Sequence, residues 1–201
     1  MAQKNGFKLT VMVLLVALIA ILAYMLLKGP KQTYDVIQKA PDFKLMNLDG
    51  KEVTLADTAG KGKLVYFFYS TCPDVCPPTT YTLSKIQDVL VKKGEFGTKT
   101  QILSISFDPT KDTPAQLKEF SGRYHPDYKG WYFLRGEEGP TIELAKKFGV
   151  LITKDPQGTF THMNWILLVD GKGNLRNYYD GSDPNLNVEK IADDMIQVSK
   201  N

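Results

Sequence analysis

An unbroken apolar run, Leu64-Val65-Tyr66-Phe67-Phe68, leads directly into Tyr69-Ser70-Thr71-Cys72-Pro73-Asp74-Val75-Cys76-Pro77-Pro78. Leu64 to Tyr69 has the continuous hydrophobicity of a strand covered on both faces in the middle of a sheet. Pro77 and Pro78 fit only the first turn of a helix, where a missing N–H costs little. Leu83, Ile86, Val89 and Leu90 then recur at helical spacing to about Lys93. The chain therefore contains a buried strand, a sharp turn and a helix, and the turn carries both of its cysteines.

Two thiols cannot serve as a disulfide framework for 201 residues, and 43% hydrophobic content supplies a core without one. The pair is therefore a redox or soft-metal site. The alternative, two inert buried thiols, is disfavoured by the three prolines around a strand-to-helix turn. If the helix begins near Pro73, Cys72 and Cys76 lie one above the other on one face, with Cα atoms roughly 6 Å apart, within reach of a disulfide. A helix N-terminus stabilises anionic sulfur, so a lowered thiol pKa is expected for Cys72. Thiolates are also soft ligands that select Cu(I) and similar ions.

The rest of the chain alternates strands and helices. Asp49-Gly50 lies between Phe43–Met46 and Glu52–Leu55, a hairpin signal. Gln101–Phe107 and Trp131–Leu134 read as strands. Thr113 is placed to cap a helix whose first residue is Pro114, with Leu117 and Phe120 on its apolar face. Thr141–Phe148 reads as a helix ending at Gly149. Trp165–Val169 and Leu175–Tyr179 form an antiparallel pair across Asp170–Gly173, and Val188–Val198 closes the chain as an amphipathic helix. This order predicts an α/β domain with helices on both faces of one sheet. In a thioredoxin-like sheet the loop before the Trp165 strand lies beside the cysteine helix, so His162 is the candidate third ligand. The other histidine, His125, reads as an exposed loop residue and is assigned no role. Two thiolates and an imidazole suit Cu(I), or Cu(II) with an added ligand, and fall short of a closed four-ligand zinc site.

Leu9 to Leu27 carries no charge and approaches the roughly twenty residues that span a bilayer. Its length, and Lys28-Gly29-Pro30 after it, favour an uncleaved anchor over a cleaved signal. No cysteine lies nearby to accept a lipid. Lysines flank both ends, so charge does not set orientation; the short amino-terminal tail places the globular part outside the cytoplasm. The expected organisation is a cytoplasmic tail and transmembrane anchor over 1–28, a tether over 29–39 and the domain over 40–201. A net charge of +3 with no dense Lys/Arg block argues against nucleic acid as a partner.

Taken together, these residues resemble the Sco/SenC family of copper-binding, thioredoxin-like proteins. The likeness rests on Cys72-Pro73-Asp74-Val75-Cys76-Pro77 after an aromatic strand. It also rests on Ser106-Phe107-Asp108-Pro109-Thr110-Lys111-Asp112-Thr113-Pro114, similar to the family's S-x-D-P-x-R-D-T-P, on Ala145–Val150 and on the late His162. Lys111 replaces the usual Arg, and Met163-Asn164 follow His162 where a small hydroxyl residue is common. The resemblance implies copper held by Cys72, Cys76 and His162, thiol–disulfide chemistry, and delivery to the binuclear copper site of cytochrome c oxidase, with a copper-accepting oxidase subunit as partner. It implies a single-pass protein of the cell membrane with its domain on the extracytoplasmic side.

An enzyme reading stands beside it: a membrane-anchored thiol–disulfide oxidoreductase that reduces the acceptor's cysteines and meets a thiol–disulfide reductant of its own. The C-x-x-x-C spacing departs from the C-x-x-C of general thioredoxin-like oxidoreductases. Val65 and Tyr69 stand where a peroxiredoxin pattern needs Pro and Thr. Nothing favours a sensor. Asp108 and Asp112 read first as a turn residue and as support for the following helix start, and second as outer partners of the sulfurs. Met163 reads as a packing or surface residue before an axial copper ligand.

Overall fold

The computed structural model describes residues 3–28 and 33–200. They belong to two compact units that divide between Thr33 and Tyr34. The first is helix α1 (Gln3–Lys28), with apolar residues spread round its circumference. Its Gly6–Tyr24 portion, 19 residues, is long and apolar enough to cross a membrane.

The second unit contains strands β1 (Gln38–Lys39), β2 (Lys44–Met46), β3 (Glu52–Thr54) and β4 (Gly62–Phe68), helix α2 (Cys76–Lys92), strand β5 (Thr100–Ser106), helix α3 (Pro114–Gly122) and strand β6 (Trp131–Arg135). Helix α4 (Glu138–Lys147), strands β7 (Ile152–Lys154), β8 (Phe160–His162), β9 (Trp165–Val169) and β10 (Asn174–Asp180), and helix α5 (Val188–Val198) follow. One eight-stranded sheet runs in the order β1-β10-β9-β4-β5-β6-β2-β3, while β7 and β8 form a separate two-stranded hairpin. Strands β4, β5 and β6 are parallel and β9 is antiparallel to β4.

Every residue of β4 and β5 is buried, so the centre of the sheet is covered on both faces. Alternation along β4 sorts its rings. Phe68 stacks on Phe120 of α3 at 5.3 Å, while Phe67 points the other way to Phe148 at the end of α4, at 5.8 Å. Helix α5 lies against β4, β9 and α2, burying Ile191, Ala192, Met195 and Val198. This is the α/β, thioredoxin-like architecture expected from the sequence. The 45–53 hairpin, the Thr113 cap, whose side chain accepts from the Gln116 amide at 3.2 Å, and the β9–β10 pair all form as expected.

Two local expectations change. Helix α2 begins at Cys76 rather than near Pro73. Pro77 and Pro78 have no N–H to give the carbonyls of Pro73 and Asp74, so the first helical hydrogen bond is Thr79 N to Val75 O at 3.2 Å. Helix α4 begins at Glu138, three residues before Thr141. Of the segment 29–39, residues 29–32 lie outside the described residues. The part from Tyr34 onward runs along the domain: Gln38 and Lys39 pair with Leu175 and Asn174, and the Tyr34 hydroxyl reaches Asp194 at 2.5 Å.

Candidate metal centre

The parallel strands end on the edge where the cysteines sit. After Phe68 the chain turns, with the Cys72 amide donating to Tyr69 O at 3.3 Å, and enters α2 at Cys76. Cys76 is fully buried and Cys72 nearly so, and both are free thiols. His162 is the last residue of β8, half-buried at the end of the small hairpin. The two sulfurs and an imidazole nitrogen all lie within 4.8 Å of one another, and His162 Nε2 is 3.5 Å from Cys76 Sγ. Among the described residues this is the one cluster of three or more His, Cys, Asp or Glu donors placed to hold a metal ion.

The imidazole is oriented for ligation. Its Nδ1 lies 3.1 Å from the Met163 carbonyl. An N–H there donates to that oxygen and leaves the Nε2 lone pair facing the sulfurs, which fixes the tautomer a metal needs. The Phe107 and Tyr69 rings flank it, with centroids 5.3 and 6.1 Å away.

The thiols are unequal. A hydrogen bond from Cys76 holds the Cys72 thiol well below the ordinary range, against the opposing effect of burial, and main-chain amides add to it. The same hydrogen bond, with burial, pushes Cys76 far upward. Cys72 is thus the more acidic thiol of the pair and the more buried Cys76 the less acidic. The expected lowering at Cys72 is present, though its leading cause is the neighbouring thiol rather than the helix end, because α2 starts four residues later.

The aspartates separate. Asp108 accepts weakly from the Lys111 amide at 3.4 Å, shaping the turn before α3. Asp112 does not serve the helix start. It is fully buried and accepts from the Ser70 amide at 3.0 Å, from the Ser70 hydroxyl at 2.5 Å and from the Ser106 hydroxyl. Burial raises its pKa. Neither aspartate is in the ligand cluster. Met163 is 39% exposed, with its amide bonded to Leu151 O at 3.0 Å. His125 is exposed and takes a positive φ of 49°.

One contributor escapes the sequence reading, and Asp112, read second as an outer partner of the sulfurs, meets the cysteine turn instead. Asp112 reaches Ser70 across 42 residues of chain. Tyr66, in an otherwise apolar strand, brings a fully buried hydroxyl beside Cys76. The only sequence signal for Tyr66 is a polar tip where a plain aromatic would fill the space equally well.

The sequence profile of the SCO1/SenC family matches residues 31–199. The SCO1 protein homolog of Bacillus subtilis is 32% identical over 175 residues, covering 85% of this chain and 89% of that protein. Among solved structures, BsSco, described as a member of the Sco family of cytochrome c oxidase assembly proteins and as having a disulfide switch, superposes with a TM-score of 0.73. It is 30% identical, covering 85% of this chain and 99% of that one. Bradyrhizobium japonicum ScoI with copper bound superposes with a TM-score of 0.67 at 27% identity, covering 80% and 99%. The matched span runs from ahead of β1 to the end of α5 and takes in the whole Cys72–Cys76–His162 cluster, so the chain belongs to the SCO1/SenC family.

Proposed function

We propose that this chain is a membrane-tethered copper metallochaperone that serves assembly of the binuclear copper site of cytochrome c oxidase, carrying copper on Cys72, Cys76 and His162. The observation that carries the reading is the convergence of two sulfurs and one oriented imidazole nitrogen within 4.8 Å, drawn from elements far apart in sequence. That donor set is soft enough to prefer copper over hard cations. Copper-bound structures of relatives with the same fold support the choice of cargo. Copper held by only three protein donors would leave room for an incoming thiolate, so the cargo would pass to an acceptor by ligand exchange, with Cys72, the less buried of the two sulfurs, as the ligand that yields. Helix α1 holds the domain at the membrane on the extracytoplasmic side, raising its effective concentration near a membrane-bound acceptor. The test is a copper titration of the reduced full chain in detergent. One tightly bound equivalent is expected, weakened in each of Cys72→Ser, Cys76→Ser and His162→Ala. Unchanged binding in all three variants would remove the reading.

A second reading uses the same sulfurs, and the unequal thiols favour it. The Cys72 thiolate attacks an acceptor disulfide, forming a mixed disulfide and releasing one acceptor thiolate, which takes the Cys76 proton. The Cys76 thiolate then attacks Cys72 Sγ, releasing the second acceptor sulfur as a thiolate, which is protonated from solvent, and leaving a Cys72–Cys76 disulfide. This route needs no imidazole ligand. His162→Ala that keeps full disulfide exchange while losing copper separates the two roles; a Cys76→Ser variant that still completes the exchange would end the second.

A further inference from the structure

His162 does not stand on the main sheet. It ends β8, a three-residue strand that pairs with β7 in a separate two-stranded hairpin. Such a hairpin does not by itself fix an imidazole to within coordinating distance of a sulfur on α2. Phe160 packs the hairpin on Tyr69 and Phe107, at 5.6 and 5.2 Å between ring centroids; the polar contacts come from the short joint between β8 and β9, Met163 and Asn164.

Asn164 spends its side chain on three different elements. Its Oδ1 accepts from the Tyr66 hydroxyl on β4 at 3.0 Å. Its Nδ2 donates to Thr79 Oγ1 on the first turn of α2 at 2.9 Å and to Ser182 Oγ beyond β10 at 3.0 Å. Its carbonyl accepts from the Gly181 amide at 2.7 Å. Thr79 is one turn past Cys76, and the Tyr66 hydroxyl adjoins Cys76. The helix turn that presents one ligand therefore grips the residue two beyond the other. The space is filled: a methyl on Gly181 would lie 2.9 Å from Asn164 Nδ2, from Asn164 O and from Thr79 Cγ2.

We infer that Asn164 is the positioning residue that sets His162 against Cys76, its carboxamide fastening the hairpin to α2, β4 and the 181–182 loop. The consequence for copper rests on the function proposed above; the fastening of the imidazole does not. Outer partners that orient a metal-binding imidazole typically account for about 10–100-fold in affinity.

The test compares the full chain in detergent with Asn164→Ala, which removes the carboxamide, and Gly181→Ala, which displaces it from outside and covers the case in which the first variant does not fold. In the reduced, metal-free wild type, ring-proton NOEs are expected between His162 and the Phe107 and Tyr69 rings; both variants are expected to lose them while far-UV circular dichroism is unchanged. With copper added, both variants are expected to bind about 10–100-fold more weakly, with a Cu(II) absorption and EPR signature moved toward that of His162→Ala. Retention of the NOEs, affinity and signature would overturn the inference. If the wild-type chain bound no copper, the functional reading would fail and the NOEs would decide the positioning role alone.

Discussion

The Asp112 carboxylate binds both polar hydrogens of Ser70, the amide at 3.0 Å and the hydroxyl at 2.5 Å, two residues before Cys72. A third donor, the Ser106 hydroxyl at the end of β5, meets the same carboxylate. The loop that presents Cys72 is thereby fastened to the neighbouring parallel strand at the sheet edge where the two sulfurs and the imidazole collect.

Asp112→Ala strands these buried donors together. Each unpaired group costs about 1–3 kcal/mol, so a loss on the order of 3 kcal/mol is expected, read by urea denaturation of the reduced chain. A loss under about 1 kcal/mol would show that water replaces the carboxylate without cost.

The inequality of the thiols predicts which one reacts first. Iodoacetamide should label Cys72 before Cys76 in the reduced, metal-free chain. Because Cys72 is held below the ordinary range, its rate should stay nearly flat from about pH 8 to pH 6, where an ordinary thiol slows about tenfold per unit. Peptide mapping of the alkylated chain gives the site. Cys76→Ala removes the leading hydrogen bond and should move the pH dependence toward that of an ordinary thiol.

Lys63 predicts a pH effect remote from the site. It is fully buried in β4, with Nζ donating to Asp170 O at 3.0 Å, and burial lowers its pKa to about 8. Between that value and the ordinary lysine value, the unfolded chain holds a proton that the folded chain does not. Stability contributed by this residue therefore rises with pH across that window, by on the order of 1–3 kcal/mol. Tyrosines pushed upward by burial oppose it near the upper end. The comparison of wild type with Lys63→Met isolates the lysine: the difference in unfolding free energy should change with pH only in this window, and a pH-independent difference would contradict the assignment.

The strand, the cysteine turn and the following helix were legible because each is a local signal: continuous hydrophobicity in Leu64–Phe68, and Pro77-Pro78 restricted to a first helical turn. Thr113-Pro114 was legible for the same reason. The Cys72–Cys76–His162 cluster was legible through a resemblance carried by several motifs in order, with only two histidines to choose between. The start of α2 was misplaced although the sequence contained the answer, since a helix from Pro73 would need the amide that Pro77 lacks. The β7–β8 hairpin went unread because its strands are three residues each, too short to show a period. The parts of Asp112, Tyr66 and Asn164 are long-range hydrogen bonds, and a single sequence carries no mark of which distant partner a buried polar group will find.

The central claim is that one ion is held by two sulfurs and one imidazole. X-ray absorption at the copper edge of the reduced, full chain loaded with one equivalent tests it most directly, with His162→Ala measured alongside. The account predicts two sulfur scatterers and one imidazole nitrogen, with the outer-shell scattering of the ring lost in the variant. A wild-type site of sulfur scatterers alone, or a spectrum unchanged by His162→Ala, would contradict it.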